Sequence, residues 1–301
     1  MEVVLIEDAT ITLIISLSAM TPIALVAIGE IIAEKSGVVN IGLEGILLLS
    51  AWIGAYIGIE TGSIVAGYLA GLLMGAVLGL IHGIISVNLK GDQIIAGVGL
   101  NMAAAGLTAI LTKAVWGNYG QSPPLNIRPP GFIIMGQRVS YAFILAVIVG
   151  VTAWYVLEKT RLGLKIKAVG DDPRSAEALG ISVTRTRLAA TIIGGGLAGL
   201  AGAFLSVDYI GSFVKLMSAG RGFIALADVA FSGWNPLFAL LGAFIFGFSD
   251  ALARYYTIVR GTTAGAYLIN TIPYIVTLLA ITATAKRAVA PRALGRPYAK
   301  E

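Results

Sequence analysis

Apolar runs of 18 or more residues recur along almost the whole of this 301-residue chain, and each is long enough as a helix to cross ~30 Å of hydrocarbon. A chain with so many runs of that length cannot bury them all in one water-soluble core. The composition agrees: 57% of residues are apolar, 12% are charged and 38 are glycine, with a mean hydropathy of +0.88. A soluble domain carries roughly 25% charged residues, so too little polar surface remains here to face water. The expected fold is all-α: a polytopic helical membrane protein, one transmembrane domain over residues 1–301. Candidate spans lie at about 9–29, 40–59, 63–87, 92–112, 139–158, 187–207, 219–232, 235–255 and 266–285, which predicts eight to ten crossings. The seventh is short, flanked by glycine and interrupted by Asp228, as in a broken or re-entrant segment.

Lys and Arg set the orientation of such chains. The connection after the fifth span carries Lys159, Arg161, Lys165, Lys167, Arg174, Arg185 and Arg187, and the tail adds Lys286, Arg287, Arg292, Arg296 and Lys300. Placing both in the cytoplasm, together with the loops of Lys35 and Lys90, leaves the acidic start (Glu2, Glu7, Asp8) outside. Fourteen of the 21 basic residues then lie inside. The expected placement is the plasma or inner membrane, N-terminus out and C-terminus in. The net charge of +5 is thereby used for orientation, so no nucleic-acid partner is implied and membrane lipid is the surrounding contact. The start does not read as a cleaved signal, being acidic with too long a first apolar stretch. A Pro-rich external segment, about 113–138, reads as a stiff cap.

Several chemistries are excluded. With no cysteine and one histidine, thiol catalysis, disulfides and Cys- or His-cluster metal sites are ruled out. The chain has no G-x-x-x-x-G-K-[ST] and no catalytic cluster, so no enzyme activity, metal or cofactor is expected. Gly194-Gly195-Gly196-Leu197-Ala198-Gly199 matches G-x-G-x-x-G, but it lies inside an apolar helix without the strand that a dinucleotide site needs. Gly195 and Gly199 instead form a small-xxx-small packing face.

Leu69, Leu72, Leu73, Gly79 and His82 recur at an offset of 168 as Leu237, Leu240, Leu241, Gly247 and Asp250. Residues 40–44 loosely resemble 223–227. Since the two copies would run in opposite directions, the pattern predicts an inverted repeat with a path between the halves. Intramembrane Asp or Glu is costly and faces a cavity or a partner. Glu44, Asp228 and Asp250 are the candidates, with Asn40, Asn101, Asn235, Asn270 and His82 as neutral companions. Asp250 and His82 read better as helix-to-helix contacts, Asp250 having Arg254 nearby. For Glu44 and Asp228 a pathway role and a structural one remain open.

The segment Gly170-Asp171-Asp172-Pro173-Arg174-Ser175-Ala176-Glu177-Ala178-Leu179-Gly180-Ile181 reads as a complete short helix. Asp172 is the N-cap, Pro173 the first helical residue and Gly180 the C′ residue. Two turns are not stable alone, so the helix is expected to dock onto something.

With its upstream residues from Gly163, this segment resembles the coupling loop of ABC importer permeases, in the superfamily of ribose-type and branched-chain amino acid permeases. Ala178-Leu179-Gly180-Ile181 keeps the alanine–glycine core of that signature. Sugar permeases of the superfamily typically carry an Asp-Leu-Ser-Val-Gly-Ser type stretch after the first spans. Here stands Glu34-Lys35-Ser36-Gly37-Val38-Val39-Asn40-Ile41-Gly42-Leu43-Glu44-Gly45, and later Gly220–Ala227 and Phe231–Leu237, which resemble the nucleoside-type branch. The resemblance runs over about residues 20–285. It implies a permease subunit forming the path for a nucleoside-like solute, with Asp172, Pro173, Arg174, Glu177, Ala178 and Gly180 meeting a cytoplasmic ATPase subunit that binds ATP and Mg. A second related permease, more naturally different than identical, and an extracytoplasmic solute-binding lipoprotein complete the assembly it implies. Candidate path residues are Phe223, Phe231 and Trp234 for stacking on a nucleobase, with Asn40, Glu44, Asn101 and Asp228 as polar groups. The alternatives are a sugar or branched-chain amino acid permease of the same class, an ion-coupled secondary transporter, and a membrane-embedded enzyme.

Overall fold

The computed structural model describes residues 2–127, 129–258, 271, 275, 282 and 289–299. Ten α-helices are described: α1 (Glu2–Lys35), α2 (Leu43–Thr61), α3 (Ile64–Gly83), α4 (Gln93–Trp116), α5 (Tyr141–Lys159), α6 (Arg161–Asp171), α7 (Pro173–Ala178), α8 (Val183–Ala203), α9 (Arg221–Phe231) and α10 (Pro236–Ile258). Short π-helical turns continue α3 over Ile84–Asn88 and α8 over Phe204–Tyr209. Seven of these helices are long and apolar enough to cross a membrane: α1 from Thr10, α2, α3, α4, α5, α8 and α10. The candidate span at about 266–285 and Asn270 fall almost wholly outside the described residues.

The departures from expectation have local causes. The seventh candidate span is an 11-residue helix, α9, about 16 Å long and so only half a membrane deep. The Pro-rich segment is not all stiff loop. α4 runs on to Trp116, and Gly131–Ile134 (β1) pairs antiparallel with Gln137–Ser140 (β2). Met135 and Gly136 join these strands, both at positive φ (47° and 76°), as a two-residue hairpin turn requires. The basic connection after α5 holds two helices rather than one, because Arg161–Asp171 forms α6 before α7 begins. Serine and aspartate caps mark several starts, with Ser63, Asp92, Ser140 and Ser182 each accepting from a first-turn amide.

The tightest packing is α3 against α8. A Cβ on Gly75 would lie 2.2 Å from the Gly195 carbonyl oxygen, and one on Gly199 would lie 2.2 Å from that of Gly71. Gly79 would meet Thr191 at 2.4 Å, so contacts step backward along α8 as they step forward along α3, and the two helices are antiparallel. Gly195 and Gly199 are therefore packing residues, as expected. The repeat also has a structural counterpart. Gly247, the repeat equivalent of Gly79, meets the α1 backbone, where a Cβ would lie 2.6 Å from Met20 N. Thus α3 lies on α8 and α10 lies on α1, which is the exchange of partners that an inverted repeat generates.

Valine at Gly75 must displace backbone rather than a flexible side chain. Gly75→Val is expected to cost at least about 3 kcal/mol, the upper end of ordinary overpacking, and to abolish recovery of folded protein. Gly99→Ala, at a helical glycine with nothing within 4 Å of an added Cβ, is expected to be silent. Thermal unfolding in detergent measures both, and an unchanged Gly75→Val melting point would refute the packing.

Candidate functional site

Two breaks in the helical backbone define the site. After Lys35 the chain does not leave the protein. It turns back so that Asn40 N donates to the buried Glu30 Oε1 of α1 at 2.7 Å. Several backbone groups of this re-entrant stretch meet a side chain in place of a helical partner. Gln93 Oε1 accepts from Val39 N at 2.8 Å, and Asn40 Oδ1 accepts from Gly42 N at 2.9 Å. Asn101 takes two: its Oδ1 accepts from Gly45 N at 2.7 Å and its Nδ2 donates to Ile41 O at 3.0 Å. His82 Nε2 lies 2.9 Å from Val39 O; a carbonyl only accepts, so this nitrogen carries the proton.

The second break precedes α9. Residues 211–214 pair with the Pro-rich segment: Ser122 N donates to Phe213 O at 2.9 Å, and Leu125 N to Gly211 O at 2.8 Å, with Gly211 itself at φ +77°. The chain then turns at Gly220 (φ +81°) into α9. Here the two breaks meet. Glu44, in the first turn of α2, accepts from Gly220 N and Gly222 N, both at 2.8 Å. One carboxylate thus sits at the N-terminal ends of two helices, where free amides and the helix dipole favour negative charge. Arg221 is buried and donates to Asp250 Oδ2 of α10 at 2.9 Å. This is an interhelical partner for Asp250 other than the expected Arg254, whose side chain lies outside the described residues.

Asn40, Glu44 and Asn101 therefore come together around the α2 start. The remaining path candidates lie along α9 and just beyond it. Phe223 is half exposed. Asp228 is fully buried, with its carboxylate against α10 at Gly242, where a Cβ would lie 1.8 Å from Oδ1. Phe231 meets Phe246 edge-on at 6.3 Å between centroids. Trp234 Nε1 donates to the buried Glu34 Oε2 at 2.6 Å, fastening the end of α9 to the end of α1. Glu30 and Glu34 escaped the sequence reading, because the first span was closed at residue 29 where charge begins. The available signal was their spacing of four, one face of a continuing helix.

The short helix α7 forms as its caps require. Asp172 accepts from Ser175 N at 3.2 Å. At the other end Ile181 N bonds Ala176 O and Gly180 N bonds Glu177 O, at 3.0 and 2.8 Å, the double closure of a Schellman motif with Gly180 at φ +82°. Its buried face is Ala176 against Val169 and Val183. Arg174, Ala178 and Gly180 are exposed, and so is Leu179, at 80%. The helix is fixed to the membrane domain by neighbours that the sequence did not announce. Glu158 bridges Lys35 and Lys167 at 3.1 and 2.7 Å. The tail crosses over it: Ala293 N bonds Gly170 O, Gly295 N bonds Gly37 O, and the Tyr298 hydroxyl bonds Glu177. Buried Arg187 holds Ser36 O and Arg296 O at 3.1 and 2.9 Å.

The sequence of this membrane domain has counterparts among known proteins. The family model described as branched-chain amino acid transport system / permease component matches residues 12–281. The chain belongs to that family. It is a family of transport permeases, and the chain is accordingly a multi-pass membrane protein of the ABC transport systems. The chain is 32% identical to the nucleoside ABC transporter permease protein NupC of Lactococcus lactis, over 93% of this chain and 94% of that one. It is 33% identical to the guanosine ABC transporter permease protein NupQ of Bacillus subtilis, over 93% of each. A provisionally named glucose ABC transporter permease protein, TsgC13 of Haloferax volcanii, is 33% identical over 79% of this chain and 75% of its own length.

Two expectations follow for this permease. Glu44→Ala leaves the Gly220 and Gly222 amides without their acceptor, at about 1–3 kcal/mol for each buried group. Amide exchange at 220–222 should accelerate at least tenfold, with Glu44→Gln intermediate; unchanged exchange would remove Glu44 from the junction. At α7, hydrogen bonds from Ser175 hold the Asp172 carboxyl below its usual range. A depressed folded pKa contributes stability above the unfolded value, about 3.9, and loses it as pH falls through the folded one. Protection of the Ser175 amide, its exchange relative to the intrinsic rate at each pH, should therefore be high at neutral pH and fall only below about 3.9, whereas Asp172→Ala should be unprotected throughout.

Proposed function

We propose that this chain is the permease subunit of a binding-protein-dependent ABC importer for nucleosides. The observation that carries the reading is identity of about a third, over nearly full length, to two permeases named for nucleoside and guanosine transport. The junction of α2 and α9 borders the path. Phe223, half exposed near the start of α9, is placed to stack on a nucleobase. Asn40, Glu44 and Asn101 keep the α2 break open, while Asp228, Phe231 and Trp234 hold α9 against α10 and α1.

Energy comes from a separate cytoplasmic ATPase that binds ATP and Mg, and α7 is the contact, through Asp172, Pro173, Arg174, Glu177, Ala178 and Gly180. Leu179, an apolar side chain left 80% exposed, supports this role. Movement of α7 passes through the tail and α6 to the end of α1, then through Glu34 and Trp234 to α9. The basic face is cytoplasmic, with the N-terminus outside and the C-terminus inside. The solute-binding lipoprotein delivers its ligand at the opposite face, by the β1–β2 hairpin. A second, related but different permease completes the path. The likeness to TsgC13 favours a sugar as the second reading.

Vesicles carrying the assembled transporter and its binding protein, with and without internal ATP, test this with labelled guanosine, adenosine, glucose and leucine. Guanosine or adenosine uptake that needs ATP is expected, with at least tenfold less from Glu177→Arg protein inserted at normal level. ATP-dependent glucose uptake alone would replace the solute and keep the machine; uptake driven by an ion gradient without ATP would overturn both.

A further inference from the structure

On the basic side, away from the α2–α9 junction, α1, α5 and α8 diverge and α6 covers the gap. The result is a groove of about 640 Å³, within the roughly 300–1,000 Å³ typical of ligand pockets. Its walls are apolar, among them Ile32, Ile148, Val156, Ile193 and Leu197, and its only uncharged polar side chains are Thr152 and Thr186. Two cations also line it, Lys165 of α6 and Arg185 of α8. Both belong to the end where α8 begins, and both are exposed. Among the described residues neither has a carboxylate within 4.0 Å. Ile148 and Ile193 are 56% and 50% exposed, so the groove opens outward, toward the bilayer.

We propose that this groove binds one anionic glycerophospholipid from the leaflet on the basic side. The phosphate lies between Lys165 and Arg185, and an acyl chain runs down the wall of α5 and α8. Length, polarity and charge each fit. The lining extends from Leu157 to Ile148 on α5 and from Arg185 to Leu197 on α8, about 14 and 18 Å of helix. One leaflet of hydrocarbon is about 15 Å, half of the ~30 Å core. Cations at the interfacial end and carbon along the rest reproduce the amphipathy of a lipid. A polar solute would find two threonines, and a helix of another subunit would have to bring its own acid to the two cations. The bound lipid wedges α5 from α8 directly beneath α6, the helix that carries α7. The inference needs only a chain that spans a bilayer and stands whichever solute is carried.

The test places the purified transporter in nanodiscs of equal phosphatidylglycerol and phosphatidylethanolamine, with a photoactivatable acyl chain on one or the other, and maps the labelled peptides. Phosphatidylglycerol is expected to label residues 148–156 and 186–197 more strongly, by about fivefold for each cation. Lys165→Gln with Arg185→Gln should reduce that preference to parity at an unchanged melting temperature. Thr152→Phe, which fills the groove and spares both cations, should lower labelling by both lipids. Equal labelling of the unmodified protein by the two lipids would overturn the proposal. So would efficient crosslinking from Ile148→Cys, the only thiol in a cysteine-free chain, to a second permease, because the groove would then be a subunit interface.

Discussion

Backbone that leaves a helix inside hydrocarbon has no water to turn to, so the protein itself must satisfy every amide and carbonyl there. Among the described residues the helices break before α2 and before α9, and much of the remaining structure serves those two places. The break before α2 takes hydrogen bonds from α1, α3 and α4 through Glu30, His82, Gln93 and Asn101. The break before α9 leans on the Pro-rich segment at Ser122 and on α10 through Asp250. The repeat relates His82 to Asp250, and the two do corresponding work: each reaches from a long helix to the break lying against it. Glu44 then joins the breaks to one another. A carboxylate serving two helix starts makes the position of α9 conditional on that of α2.

Such an arrangement requires the long helices to stand very close. Lipid tails are as apolar as leucine, so hydrophobicity alone gives helices no reason to associate in a bilayer, and contact has to come from van der Waals packing. Glycines at 71, 75 and 79 on α3 bring its backbone against glycines 195 and 199 of α8. Gly247 repeats the device where α10 meets α1. These are the two interfaces that the inverted repeat exchanges. Gly45 and Gly97 bring α2 and α4 together likewise, and so set the spacing at which a side chain as short as Asn101 can reach foreign backbone.

What could be read from sequence was what is local. The spans follow from run length, and α7 follows from a cap, a proline and a glycine in order, each acting within four residues. The Gly195–Gly199 face was legible because its spacing is helical. The hairpin at 131–140 was hidden, since its turn places Met135 at positive φ and methionine carries no turn signal. The same holds for α6, whose amphipathic pattern is cut short by the capping residue of α7. The partners of Asn101 are beyond local reading too. An amide in an apolar run announces that it needs hydrogen bonds, but whether a solute or the chain's own backbone supplies them depends on residues up to 60 positions away.

α1 is the element common to both ends of the molecule. On its basic end it carries Lys35, bridged through Glu158 to α6, and just beyond it Ser36 and Gly37, held by Arg187 and the tail. Next to Lys35, Glu34 holds Trp234 at the end of α9, and a turn before that Glu30 holds Asn40 at the foot of α2. A displacement of α7 cannot be absorbed in flexible loop, because α6 and the tail tie it to α1 by backbone and charged contacts. Nor can α1 shift alone, since its two buried carboxylates are bonded to both broken segments. Fewer than two turns of one helix, from Glu30 to Lys35, therefore bear the surface helix, the closing end of α9 and the opening of α2. That is the geometry needed for an event at the membrane surface to move the two breaks together.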